Sequence, residues 1–176
     1  VRRVRPPKTG GGLIMATAVF ATMRKLRDVV AAADGIADAD PAVPVALGFP
    51  AGAMAKRDTY VWISGQVLEW EQKTPMTSGG IPPKDERFVI AVRLVVTRTG
   101  TDWLTPAAVA EKLVAAIEDA VRSDYFLGQR LEAPPYEEGT IQFAQVIRGD
   151  MEEGIPDDRK RQIAVSLDVE VKTWLA

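Results

Sequence analysis

From Gln162 to Lys172 the chain alternates without a break. Ile163, Val165, Leu167, Val169 and Val171 are apolar, and Ala164, Ser166, Asp168, Glu170 and Lys172 separate them. A period of two belongs to a β-strand, and it puts every apolar side chain on one face. Such a strand needs one face covered and leaves the other wet, as in an antiparallel sheet backed by helices. Arg87 to Arg98 makes a second long strand, with Phe88, Ile90, Val92, Leu94 and Val96 on one face. Its other face is also partly apolar: Val89, Ala91 and Val95 surround Arg93.

Two helices supply the cover. Over residues 16–33, Val19, Met23, Leu26, Val30 and Ala33 recur every three or four positions, Phe20 and Val29 widen the stripe, and Gly35 stops it. Thr105 starts the second helix with Pro106 at its first position, and Val109, Leu113, Ile117 and Val121 recur every fourth residue up to Asp124. Pro44 to Phe49 reads as a short strand at a sheet edge, because prolines bound it. Tyr60 to Gln72 is a strand that Gly65 interrupts as a bulge. Val61, Ile63 and Val67 face one way, and Tyr60, Trp62, Leu68 and Trp70 the other. Residues 73–86, rich in Pro and Gly, make an unusually long hairpin connection. Thr140 to Gly149 is a strand with Ile141 and Phe143 inward, and Asp150 to Asp158 an acidic turn. The order α-β-β-β-α-β-β predicts a two-layer α+β domain, with a mostly antiparallel sheet and both helices on one face.

The chain has 176 residues. Residues 15–176 are therefore expected to form one domain, large enough to hold its core without a staple. Residues 1–14 hold Arg2, Arg3, Arg5 and Lys8 with Pro6-Pro7 and Gly10-Gly11-Gly12, and read as a flexible basic arm. Met15 offers an alternative natural start, with the arm an upstream extension. The arm lacks the apolar stretch of a signal peptide, and no segment has the run of about 20 apolar residues that crosses a membrane.

Cysteine and histidine are absent. Disulfides, thiolate or imidazole metal sites, Cys nucleophiles and His bases are thereby excluded. Glu69 and Glu71 lie on one strand face about 7 Å apart, a spacing that suits an inverting glycosidase. Such a pair comes from two elements framing a sugar, so these are read as exposed carboxylates. Asp150, Glu152, Glu153, Asp157 and Asp158 could hold a hard cation. However, Gly154 sits one position too early for a calcium loop, and a solvated turn is preferred. Lys8 to Gly12 lacks the residue order of a phosphate loop. No catalytic residue, metal ligand or cofactor is expected.

The net charge of −2 conceals an asymmetry. Residues 1–30 carry seven Lys/Arg against one Asp, a net of +6, whereas residues 132–158 carry eight Asp/Glu against one Arg, a net of −7. Such a chain suits self-assembly, with one copy's basic region meeting the next one's acidic region, although two unrelated solvated loops are the preferred reading of these charges. Tyr60, Trp62, Trp70, Arg93 and Trp174 belong to residue types enriched at interface centres. They are the candidate interface residues, with Gly79 and Gly80 in the long loop. A partner subunit, the 37–58 link or one helix is expected to cover the second sheet face.

The pattern of elements resembles the tail terminator (tail completion) proteins of long-tailed bacteriophages and related minor tail proteins. An amphipathic helix leads through a Pro-rich link into Tyr60-Val61-Trp62-Ile63-Ser64-Gly65. A Gly/Pro loop follows, then Arg87-Phe88-Val89-Ile90-Ala91-Val92, a helix ending at Ala120-Val121, and Gln162-Ile163-Ala164-Val165-Ser166-Leu167. The likeness runs over residues 16–175. It implies a non-enzymatic virion protein that assembles in the host cytoplasm as a hexameric ring. The ring caps the tail tube, stops tube polymerisation and joins the head–tail connector. DNA would pass through an acidic lumen without sequence-specific binding, and Glu132, Glu137, Glu138, Glu152 and Glu153 are the lumen candidates. The alternatives are another neck or head–tail adaptor protein, or an unrelated α+β enzyme or ligand-binding domain.

Overall fold

The computed structural model describes residues 16–73, 83–128, 130–131 and 139–175. Helix α1 (Ala16–Ala31) is followed by strand β1 (Val45–Leu47), a 3-10 turn (Met54–Lys56), β2 (Thr59–Lys73), β3 (Lys84–Thr99), α2 (Leu104–Ser123), β4 (Arg130–Leu131), β5 (Gly139–Asp157) and β6 (Lys160–Leu175). The strands form one sheet in the order β1-β2-β3-β6-β5-β4. β1 runs parallel to β2, and the other pairings are antiparallel. Both helices lie on one face, which is the expected two-layer α+β arrangement, with the two-residue β4 as an addition.

The two alternating strands lie side by side at the centre. Phe88 faces Val171, Ile90 faces Val169, Val92 faces Leu167, Leu94 faces Val165 and Val96 faces Ile163. All of these side chains are buried under the helices. From α1, Ala18, Val19, Met23, Leu26 and Val30 enter this core, and α2 adds Ala110, Leu113, Ile117 and Val121. Phe20 departs from expectation and is exposed, since one residue along a helix turns a side chain by about 100° from its neighbour. Gly35 closes the turn after α1 at φ +84, a conformation that favours glycine.

Bulges reset which face a side chain occupies. β2 shifts register between Ile63 and Val67, where Gly65 predicts it, and again between Val67 and Glu69. The second shift places Trp70 opposite Phe88, on the helix side, so Trp70 does not share a face with Tyr60 and Trp62. In β5 a shift between Ile141 and Phe143 leaves Ile141 in the core and puts Phe143 opposite Lys172 on the other face. The expected acidic turn at 150–158 is instead strand. β5 stays paired with β6 from Arg148 to Gly154, and the chain reverses at Asp158 and Arg159. The ladder overrides the local turn signals, and Pro156 sits in the bulge between Gly154 and Asp157, where a proline is tolerated.

The start of α2 also differs. Asp102, not Thr105, caps it: the Asp102 carboxylate accepts from the Leu104 N–H at 3.0 Å, the Thr105 N–H at 3.1 Å and the Thr105 hydroxyl at 2.8 Å. An ionised carboxylate is the stronger acceptor, which makes the hydroxyl a donor here. These bonds, the Leu104 N–H first, hold the Asp102 carboxyl below the usual carboxylate range. At the other end of the molecule, β3 begins with a buried ion pair. Lys84 Nζ lies 2.6 Å from Glu86 Oε1, with the two residues 3% and 1% exposed. Glu86 Oε2 and the facing Thr173 Oγ1 have no hydrogen-bond partner among the described residues.

Each of these features yields a test. Lys84→Met alone strands a buried carboxylate and is expected to cost about 3–5 kcal/mol in urea unfolding. Lys84→Met with Glu86→Leu is expected to recover most of that loss. Asp102→Ala is expected to lower Tm at neutral pH. Because the folded-state pKa is depressed, the Asp102 contribution is complete above the unfolded value and disappears as pH falls through the folded one. The Tm gap between the two chains should therefore hold down to about pH 5 and close below about pH 4.

Candidate interface surfaces

The sheet face turned away from the helices is crossed by rows of side chains that the register aligns. At one end Trp62, Arg93, Ser166 and Asp150 form a row, and next to it lie Tyr60, Val95, Ala164 and Glu152. The Tyr60 and Trp62 rings are 5.7 Å apart, and Phe49 meets Trp62 edge-on at 5.7 Å. Trp62, Leu68, Arg93, Arg148, Asp150 and Asp168 help to line a hollow of about 620 Å³ across four strands. Toward the other end the rows become ionic. The Glu170 carboxylate accepts from the Arg87 guanidinium and, at 3.0 Å, from the Gln145 side-chain amide. Glu71, Phe143 and Lys172 join these groups in lining a hollow of about 490 Å³.

The structure therefore brings together Tyr60, Trp62 and Arg93 from the predicted set. Trp174 shares their face but stands opposite Asp85 and Thr140. Along β6 it is eight residues from Ser166, the position in the Trp62 row, or about 26 Å at strand rise. Trp70 is on the helix side near the sheet margin. Gly79, Gly80, Glu132, Glu137 and Glu138 lie outside the described residues. Glu152 and Glu153 are both exposed but point to opposite faces, across from Ala164 and Ile163.

Val89, Ala91 and Val95 are buried although no described helix or strand covers this face. Their flanking side chains do the covering: Val89 sits between Glu69 and Glu170, and Val95 between Tyr60 and Ala164. Of the 37–58 link, Phe49 reaches this face at Trp62, whereas Pro41 to Val43 border a hollow beside α2 with Val109 and Leu113. Glu69 and Glu71 are exposed on the outer face, and Glu71 lies 3.3 Å from Lys73, a solvated pair. No three carboxylates converge on a metal-sized site among the described residues. No helix of the described chain is long and apolar enough to cross a membrane.

Apolar surface is instead exposed at the two margins of the sheet. β4 meets β5 only at Gly139 and Thr140, and the Ala144 N–H donates to the Tyr125 carbonyl. From Gln145 to Asp157 no described strand lies along the free edge of β5. That stretch exposes Ile147, Met151 (59%) and Ile155 (62%). The opposite margin, β1 and the distal part of β2, exposes Leu47, Phe49, Leu68 and Trp70. Sequence reading missed the β5 margin. Ile147, Met151 and Ile155 recur inside the acidic segment, but Gly149, Gly154 and Pro156 dominate it as turn signals.

No family model and no curated protein matches the chain. Among solved structures, one from the virion of a native gene transfer agent particle is similar at 17% identity, covering 92% of this chain and 99% of that one, with a TM-score of 0.41. A second, which carries no functional description, is similar at 17% identity over 87% of this chain and 92% of its own, with a TM-score of 0.43.

Proposed function

We propose that the chain is a structural, non-enzymatic protein of a phage-type virion. It closes into a ring on the end of the tail tube, stops tube growth and offers the surface that joins the head connector. The observation that carries this reading is the pair of unlike apolar margins at opposite ends of one sheet. A face that matches itself makes a twofold dimer. Two unlike margins make a head-to-tail contact, which repeats until the rotation closes a ring. The family resemblance of the element pattern gives six copies and the partners, a tail tube protein and a neck protein. The sites Tyr60, Trp62 and Arg93, on a concave and charged face, are assigned to contacts with those partners. A lumen wall that repels passing DNA is assigned to Glu132, Glu137 and Glu138, because Glu152 and Glu153 point to opposite faces of the β5 margin.

The test is tube assembly. Purified chain added to polymerising tube subunits is expected to shorten the tubes and leave a ring at one end in electron micrographs. Met151→Asp with Ile155→Asp changes two exposed positions, so stability should stay within about 0.5 kcal/mol per site. This variant should fold, fail to form rings and leave tube length untouched. Tubes that grow to full length beside the unmodified chain would refute the capping role.

A further inference from the structure

The free edge of β5 is regular over one stretch. From Arg148 to Gly154 its register with β6 runs without interruption, between a bulge on each side. Its outward main-chain groups have no strand partner among the described residues, and natural sheets seldom leave a long edge open. Asp150 and Glu152 project to the outer face, and Met151 and Glu153 to the helix side. Asp150 pairs with Arg148 at 3.0 Å in an exposed, weak contact, and Glu152 and Glu153 have no ion pair among the described residues.

The start of the chain complements this stretch residue by residue. Val1-Arg2-Arg3-Val4-Arg5 has three cations and two β-branched residues, and Pro6-Pro7 ends the run because proline cannot extend a ladder. An antiparallel register that sets Val4 against Met151 also sets Arg5 against Asp150, Arg3 against Glu152 and Arg2 against Glu153. Each of these pairs is an opposite-charge or apolar match, the kind that stabilises neighbouring strands. Pro6 to Met15 is a ten-residue spacer, which spans at most about 35 Å when extended. α1, where the spacer ends, meets α2 and β4 and packs mainly over the β1 and β2 side. In a head-to-tail ring that side of one copy abuts the β5 margin of the next.

We infer that residues 1–5 of one copy add as an antiparallel strand to the β5 edge of a neighbouring copy, with Val4 beside Met151. Main-chain bonds supply the affinity of such an addition, and alternate side chains supply its register. The inference rests on the ring reading. It gives the acidic edge and the basic arm one shared role.

The chain has no cysteine, so introduced thiols report the register without background. Val4→Cys chains mixed with Met151→Cys chains are expected to give a disulfide-linked heterodimer under mild oxidation. A Glu152→Cys partner should give at least fivefold less, because adjacent strand residues face opposite ways. Glu152→Arg with Glu153→Arg should suppress the Val4–Met151 link, and adding Arg2→Glu with Arg3→Glu on the arm should restore it. Equal linkage to positions 151 and 152 would overturn the inference. So would a Val4→Cys, Met151→Cys double variant that closes within one chain alone. Displacement of the link by duplex DNA, with DNA binding lost in Arg2→Gln, Arg3→Gln, Arg5→Gln chains, would assign the arm to phosphate instead. Light scattering on the same samples separates the two levels: rings without the link remove the arm's role only, whereas monomers without it remove the ring as well.

Discussion

The pairing of β3 with β6 is the constraint on which the rest of the structure depends. Five successive apolar pairs, Phe88–Val171 through Val96–Ile163, form the centre of an oily surface that Val61, Ile63 and Ile141 on the flanking strands make wider than one helix. α1 and α2 must therefore both lie on that side. This fixes the layer order, and among the described residues the opposite face carries no helix. That face survives uncovered because its apolar residues are few and are enclosed by Glu69, Glu170, Tyr60 and similar flanking side chains. Toward one end of that face the Arg87–Glu170 ion pair with Gln145 makes the surface ionic.

A sheet built outward from its centre ends in margins. β1 is too short to protect β2 along its length, and β4 too short to protect β5. Apolar side chains are exposed along both. On the β5 side they are interleaved with Arg148, Asp150, Glu152 and Glu153, which limit indiscriminate edge pairing. Unlike margins at opposite ends favour a directional contact.

Much of the fold was legible in the residues. The strict alternation of β6, the five-member face of β3 and the every-fourth stripes of α2 each leave one structural reading, and the element order follows. The strand β5 was obscured because Asp150 to Asp158 contains Gly, Pro and carboxylates, all residues of turns. Only pairing with a distant strand, invisible locally, converts them to an edge. The faces of Trp70 and Phe143 were misassigned for a related reason. A one-residue bulge inverts everything beyond it; the irregularity at Gly65 adds two residues and keeps the face, and the inverting one after Val67 carries no local signal. The candidate site was legible in part. Tyr60, Trp62 and Arg93 do converge, but the exposed margin residues Met151 and Ile155 were hidden within the segment read as a turn.

On the function proposed above, two unlike sheet margins make this chain a closed assembly. Light scattering across a concentration series, with electron micrographs of the largest species, tests it most directly. The account predicts a discrete closed ring near six copies with a central hole, reached from monomer without open-ended growth. A twofold dimer joined through the outer sheet face, or a monomer both alone and at the end of assembled tail tubes, would contradict it.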